Sequence, residues 1–273
     1  MNAYIEIRIE VADSPLREML IAQLAGEGAD GFEEERNLLK AFIPARHFHQ
    51  TAIDEIVLQN NLNYSSAVIE EKNWNAEWES NFHPVVINDF CAVRANFHTA
   101  VPGIKHDIII TPKMSFGTGH HATTYMMIQA MARLNFAATT VFDFGTGTGV
   151  LSILAEKLGA SSIVAIDNDT WSIENAMENF NVNNCYKILL FNKIDFISNR
   201  HFDVILANIN RNTILENLVA IKQHLGLKGV LLISGLLVGD QAVILAEAEK
   251  SNLKLNNRLE KNGWICMELI NNE

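Results

Sequence analysis

Between Val141 and Asp167 the chain runs through an apolar stretch, a turn with three glycines, an amphipathic stretch, a second apolar stretch and an acid, an order few folds accommodate. Val141, Phe142 and Phe144 read as a short buried strand. Gly145, Gly147 and Gly149 then remove side chains where the chain must turn sharply, and let a ligand approach the backbone. The following segment, residues 150–158, reads as a helix whose first N–H groups lack intrahelical partners and face the same crevice. Residues 163–166 read as the next parallel strand. Asp167 falls 22 residues past Gly145, where a carboxylate can accept hydrogen bonds from both ribose hydroxyls. The implied architecture is a doubly wound α/β sheet with its ligand at the carboxyl ends of the strands.

The glycine spacing discriminates between nucleoside ligands. A dinucleotide fold asks for G-x-G-x-x-G, in which the third glycine lets a helix start close beneath a pyrophosphate. Here the pattern is G-x-G-x-G, with Asp143 inside the strand end. That combination resembles the first motif of class I S-adenosylmethionine-dependent methyltransferases, whose ligand carries an amino acid tail in place of a pyrophosphate. A dinucleotide enzyme, or a glycine-rich turn with no ligand, is the competing reading.

Upstream, residues 4–11 alternate, with Ile5, Ile7, Ile9 and Val11 on one face and Glu6, Arg8 and Glu10 on the other. A helix follows from Pro15, capped by Asp13 or Ser14 and closing near Gly26 and Gly28. Strands at 32–35 and 38–43, a helix at 46–58 and a strand at 66–71 complete βαββαβ, the order of a ferredoxin-like α+β sandwich. Trp74 and Trp78 stand four apart in a short linker helix, 72–84, that Pro84 ends. They read equally as a packing seam or as a partner-binding surface. The expected domains are therefore 1–71, the linker helix 72–84, and a catalytic domain 85–273. In the last, two or three strands at 85–111 precede helices at 122–134, 150–158, 172–180, 211–224 and 240–250. Strands at 140–144, 162–166, 188–191, 204–207 and 230–234 alternate with them and imply a mostly parallel sheet. Asn262-Gly263 between strands at 255–260 and 264–270 signals a closing antiparallel hairpin.

Composition narrows the function classes. A formal net charge of −11 argues against broad binding to a phosphate backbone, and no direct nucleic-acid specificity is expected. No apolar run approaches the roughly 18 residues of a membrane span, and the N-terminus shows no basic segment leading into an apolar one. Three dispersed cysteines, Cys91, Cys185 and Cys266, show neither disulfide nor zinc spacing. A reducing, cytoplasmic setting fits, without a membrane partner.

A second glycine-rich loop, PKMSFGTGHHATT at 112–124, opens a helix. It lacks the lysine of a phosphate-binding loop. His120 and His121 diverge as chain neighbours and have no third ligand at a fitting spacing, so no metal is expected. The loop closely resembles FGTG-[TH]-H-x-TT of the bacterial ribosomal protein L-eleven methyltransferase family. The linker tryptophans, the DFGTGTG turn, the AIDND acid and the ANIN strand end resemble that family's in the same order, so the likeness spans nearly the whole chain. Ala122 departs from the family's usual proline and Thr146 from its usual cysteine.

Carried across position by position, the resemblance places cofactor contacts on Thr124, Gly145, Asp167 and Asn208. Gly147 belongs to the same turn, and Phe116 is a candidate to line the tunnel. Thr124 can offer its hydroxyl from a helix start to the methionine carboxylate, which a helix N-terminus also attracts. Asp195 is a candidate acceptor for the adenine amino group, with a surface turn acid as its alternative. Asn208 ends the strand VILA. In amine methyltransferases an Asn or Asp there accepts a hydrogen bond from the target nitrogen, whereas the bland reading is a turn asparagine capping the next helix. Ile209 lacks the proline pair of the broader N-P-P-[YF] motif, so aromatic clamping by this turn is not expected. The resemblance implies a monomeric methyltransferase acting on the α-amine and lysine ε-amines of large-subunit ribosomal protein eleven, with the small domain recognising that protein. Methylation of another protein, RNA or a small molecule, or a non-catalytic cofactor-binding module on the ribosome, are the alternatives.

Overall fold

The computed structural model describes residues 3–69, 82–113, 115–192 and 200–272. Two compact units divide it, Met1–Asn81 and Phe82–Glu273. Of the expected linker helix 72–84, the part with Trp74 and Trp78 lies outside the described residues and 82–84 are not helical; the candidate acceptor Asp195 also lies outside them.

In the first unit, β1 (Tyr4–Glu10), α1 (Ser14–Gly26), β2 (Gly31–Glu35), β3 (Leu38–Pro44), α2 (Gln50–Gln59) and β4 (Tyr64–Ile69) follow in order. The sheet runs β2-β3-β1-β4 and every neighbour is antiparallel. That is the ferredoxin-like arrangement that βαββαβ connectivity demands. Ile7 and Ile9 point to one face and are fully buried with Leu20, Leu24, Leu39 and Ile53. The other face carries charge, with Lys40 bridging Glu33 and Glu35 and Arg8 paired to Glu6. Asp13 caps α1 by accepting from the Leu16 N–H. The second helix begins later than its apolar pattern indicates: Ala45–His47 form a 3-10 turn first, and Phe48 and His49 are extended before α2.

The second unit opens with a three-stranded sheet, β5 (Val85–Ile87), β6 (Cys91–Ala95) and β7 (His106–Ile110). The main sheet orders its strands β10-β9-β8-β11-β12-β14-β13. These are β8 (Thr140–Phe144), β9 (Ser162–Ile166), β10 (Ile188–Phe191), β11 (Phe202–Asn208), β12 (Leu225–Leu237), β13 (Leu253–Lys261) and β14 (Trp264–Asn271). The first five are parallel, and β14 pairs antiparallel with both β12 and β13. Asn262 and Gly263 both take positive φ, 53° and 78°, as a two-residue hairpin matched to strand twist requires. The helices are α3 (Ala122–Met131), α4 (Val150–Lys157), α5 (Thr170–Val182), α6 (Arg211–Gln223) and α7 (Gln241–Lys250).

The main sheet buries both faces. On one lie Val141, Ile163, Leu206 and Leu232 against α3 and α4, and on the other Phe142, Ile205, Ile233 and Met267 against α6 and α7. Each such side chain contributes roughly 1.5–3 kcal/mol of transfer free energy. The sheet order changes direction between β8 and β11, so the crevice at their carboxyl ends is where this topology opens a ligand site.

Candidate functional site

Strand β8 delivers Phe144 to the carboxyl end of the sheet, and the three glycines after it take φ of +79°, +56° and +80°. Side chains are excluded there by space as well as by backbone. A Cβ on Gly145 would stand 2.4 Å from Cγ2 of Ile209, and one on Gly147 would stand 2.3 Å from the carbonyl oxygen of Phe116. The turn is thus wrapped by the end of β11 on one side and by the 112–121 loop on the other. Thr148 ties that loop down: its N–H donates to Phe116 O at 2.9 Å and its hydroxyl to Gly117 O at 2.8 Å.

A cavity of about 490 Å³ opens over this turn, within the roughly 300–1,000 Å³ of small-molecule sites. Phe116, Gly145, Gly147, Asp167 and Asn208 all line it. Asp167 is braced from below, with Oδ2 accepting from Gly147 N at 2.9 Å and Oδ1 from Asp169 N at 3.0 Å. Those bonds aim the carboxylate and leave further lone pairs on each oxygen.

Thr124 lies one step behind the wall, fully buried in the first turn of α3, while its neighbour Thr123 lines the cavity. Its Oγ1 accepts from Nδ2 of Asn208 at 3.2 Å. The hydroxyl proton of Thr124 stays available for an onward acceptor. Asn208 Oδ1 is buried with no hydrogen-bond partner. A buried carbonyl oxygen left unpaired costs about 1–3 kcal/mol, so it marks a place where a donor is missing. The helix-capping task falls to Asn210, which accepts from Thr213 N at 3.0 Å, so the bland reading of Asn208 as a cap does not describe it.

Beneath the turn lies Asp143, fully buried at the end of β8. Thr146 and Ser152 hydroxyls both donate to its Oδ2 at 2.7 Å, and Oδ1 has no partner. Desolvation pushes the carboxyl up to about 6, against the opposing pull of those two hydroxyls. His120 and His121 part company as chain neighbours do. The first turns Nε2 toward His83 O, while the second pairs Nδ1 with Thr123 Oγ1 and packs between Phe116 and Trp264. Among the described residues no three His, Cys, Asp or Glu side chains are grouped to hold an ion, and no helix is long and apolar enough to cross a membrane. The three cysteines are buried and free, with thiols pushed up by burial to about 12 for Cys91 and Cys266 and about 11 for Cys185, which keeps them protonated.

The sequence reading missed three parts of this site. Trp264 reads there only as a strand residue after a hairpin turn, yet it lines the cavity from β14. Asn168 does so from the turn after β9. Asn175 and Asn179 on one face of α5, and Asn183 at its C-cap, are fully or nearly fully buried. Their four-residue period was the available signal, since polar residues so spaced share a helix face.

The fit to a nucleoside with an amino acid tail rests on three features: glycines whose Cβ atoms would fill the crevice, an aimed ribose-type acceptor, and an orphaned carbonyl at the cavity wall. The chain matches the model of the ribosomal protein L11 methyltransferase (PrmA) family over residues 15–272. A ribosomal protein L11 methyltransferase of Porphyromonas gingivalis is 39% identical over 258 residues, spanning 92% of this chain and 89% of that protein. One of Chlorobaculum parvum is 39% identical over 254 residues, spanning 87% and 86%. Among solved structures, a ribosomal protein L11 methylase of Lactobacillus delbrueckii subsp. bulgaricus superposes with a TM-score of 0.65 at 26% identity, covering 70% of this chain and 99% of that one. A precorrin-6y C5,15-methyltransferase of Geobacter metallireducens, at 12% identity and a TM-score of 0.50, shares the fold.

Proposed function

The chain belongs to the ribosomal protein L11 methyltransferase family, and from that membership we propose that it transfers methyl groups from S-adenosylmethionine to the α-amine and lysine ε-amines of ribosomal protein L11. The observation that carries this reading is the orphaned Oδ1 of Asn208 at the wall of the glycine-turn cavity. When bound, the cofactor supplies a methyl group already made electrophilic by its sulfonium. What remains for the protein is to hold, align and keep dry.

Gly145 and Gly147 offer backbone to the cofactor, Asp167 takes the ribose hydroxyls, and Thr124, one step behind the wall, has its hydroxyl proton left for a carboxylate that reaches that depth. Phe116 and Trp264 wall the opening against water, which strengthens the polar contacts inside. Asn208 is the catalytic residue: its Oδ1 accepts an N–H of a neutral amine and so points the nitrogen lone pair toward the methyl carbon. Alignment of this kind at about 3–3.5 Å supplies the rate enhancement without a strong base. The amine must shed its proton first, and a free lysine has a pKa of about 10.4 and an α-amine of about 7.7–8.0.

The ferredoxin-like unit is assigned to recognition of the protein substrate. A monomer is proposed, and a cytoplasmic setting accords with the three buried free thiols. The test is incubation of the purified protein with radiolabelled S-adenosylmethionine and separated large-subunit ribosomal proteins, followed by mass analysis. Label on L11 amines is the expected result. Label confined to another protein, or none at all, overturns the proposal.

A further inference from the structure

Helix α5 and its C-cap carry a ladder of buried amides that the reaction itself does not use. Asn183 and Asn179 dock the outer edge of β7 and its exit as a neighbouring strand would. Asn183 exchanges both bonds with Ile109, its Oδ1 accepting from Ile109 N at 3.0 Å and its Nδ2 donating to Ile109 O at 2.5 Å. One turn earlier Asn179 Oδ1 accepts from Thr111 N at 2.8 Å. There the pattern breaks. Asn179 Nδ2 donates to Thr148 O at 2.8 Å, inside the glycine turn, and Thr111 O is left to Asn175 Nδ2 at 3.0 Å.

A single amide therefore joins the exit of β7 to the glycine turn, and the same Thr148 holds Phe116 and Gly117 through its own N–H and hydroxyl. Around that closed circuit run Thr111, Asn179, Thr148 and Phe116, with the loop leaving Thr111 and returning at Phe116. Both ends of the segment bearing Phe116 are thus referenced to one rigid helix. A fully buried amide with donor and acceptor both engaged cannot slip by a turn without orphaning two backbone groups.

We propose that Asn179 is a positioning residue for cofactor binding, which sets the Phe116 loop in register against the glycine turn. The inference rests on the assignment of that cavity to S-adenosylmethionine. Asn183 supplies an internal control, because it is equally a ladder member but does not touch the glycine turn. Asn179→Leu and Asn183→Leu each leave two backbone groups without these partners, so both lower the melting temperature of the free protein. Only Asn179→Leu should weaken S-adenosylhomocysteine binding by calorimetry, by about tenfold or more, the equivalent of one lost buried amide bond. At saturating cofactor its kcat should fall much less than its affinity.

If Asn179→Leu does not fold, Thr148→Val cuts the same circuit at the Gly117 tie and should give the same loss, with Thr148→Ser restoring affinity. Wild-type affinity in Asn179→Leu, or equal weakening in Asn183→Leu, overturns the proposal; so does wild-type affinity in Thr148→Val where that variant stands in. Failure of the wild-type protein to bind S-adenosylhomocysteine sinks the cavity assignment instead, and the inference with it.

Discussion

The side-chain amide of Asn208 donates to the hydroxyl of Thr124 across 3.2 Å, joining the end of β11 to the start of α3 over 84 residues of chain. The bond engages the Nδ2 end of the Asn208 amide. With Nδ2 engaged, Oδ1 is the atom left over, and an acceptor is what an amine's N–H requires. A flipped amide would present a donor to the amine and stall the alignment.

Asn208→Ala should therefore lower kcat by on the order of a hundredfold, the usual cost of misplacing a reacting group. Thr124→Val removes the hydroxyl that holds the amide in place and should cost roughly tenfold, with Thr124→Ser close to wild type. Steady-state kinetics on L11, set beside calorimetry with S-adenosylhomocysteine, reads both effects. Should Asn208→Ala lose cofactor affinity in proportion to rate, the amine contact is wrong.

The glycine turn admits no methyl group at its centre. Gly147 combines φ of +56° with only 2.3 Å to Phe116 O, so Gly147→Ala must shift the loop as well as strain its own backbone. Costs of about 1–3 kcal/mol are expected for such a change, with a matching fall in melting temperature and in cofactor affinity. Gly239→Ala, with nothing within 4 Å of the added Cβ, is the comparison and should leave both unchanged.

Asp143 gives stability a pH dependence with a definite sign. Its carboxyl ionises at about 6 in the folded protein against 3.8 for the unperturbed group, chiefly through desolvation. Between those values the folded state binds more protons than the unfolded one, so this site's contribution to stability falls as pH rises and levels off above about 6. Asp143→Asn does not titrate. The melting temperature of the variant relative to wild type should therefore climb from pH 4 toward pH 6, and a flat difference across that window would refute the burial argument.

Because only the neutral amine reacts, methylation of lysine targets should accelerate with pH up to about 10, and that of an α-amine should level off near about 8. Initial rates on L11 peptides carrying one free amine each would separate the two profiles. A rate independent of pH between 7 and 9 for a lysine target would mean that the protein removes the proton itself.

The glycine turn, the acid beyond it and the alternation of apolar strands with helices were legible because each is local. A buried strand, a left-handed turn and a helix announce themselves through neighbours in sequence, and the G-x-G-x-G spacing needs no partner to be read. Element ends were less legible. The 3-10 turn at Ala45–His47 and the 13-residue β12 follow from packing and pairing that a local pattern does not encode.

Local pattern alone thus settled the parallel α/β core and the hairpin at Asn262-Gly263, while the candidacy of Asn208 came from the family resemblance of the ANIN strand end. Local pattern could not say that Asn208 is bonded to Thr124, that Asn179 bridges Thr111 and Thr148, or that Trp264 reaches the cavity from β14. Each of those facts joins segments far apart along the chain. Hydrogen-bond direction and side-chain approach come into being only once the sheet has ordered its strands, so tertiary structure alone decided them.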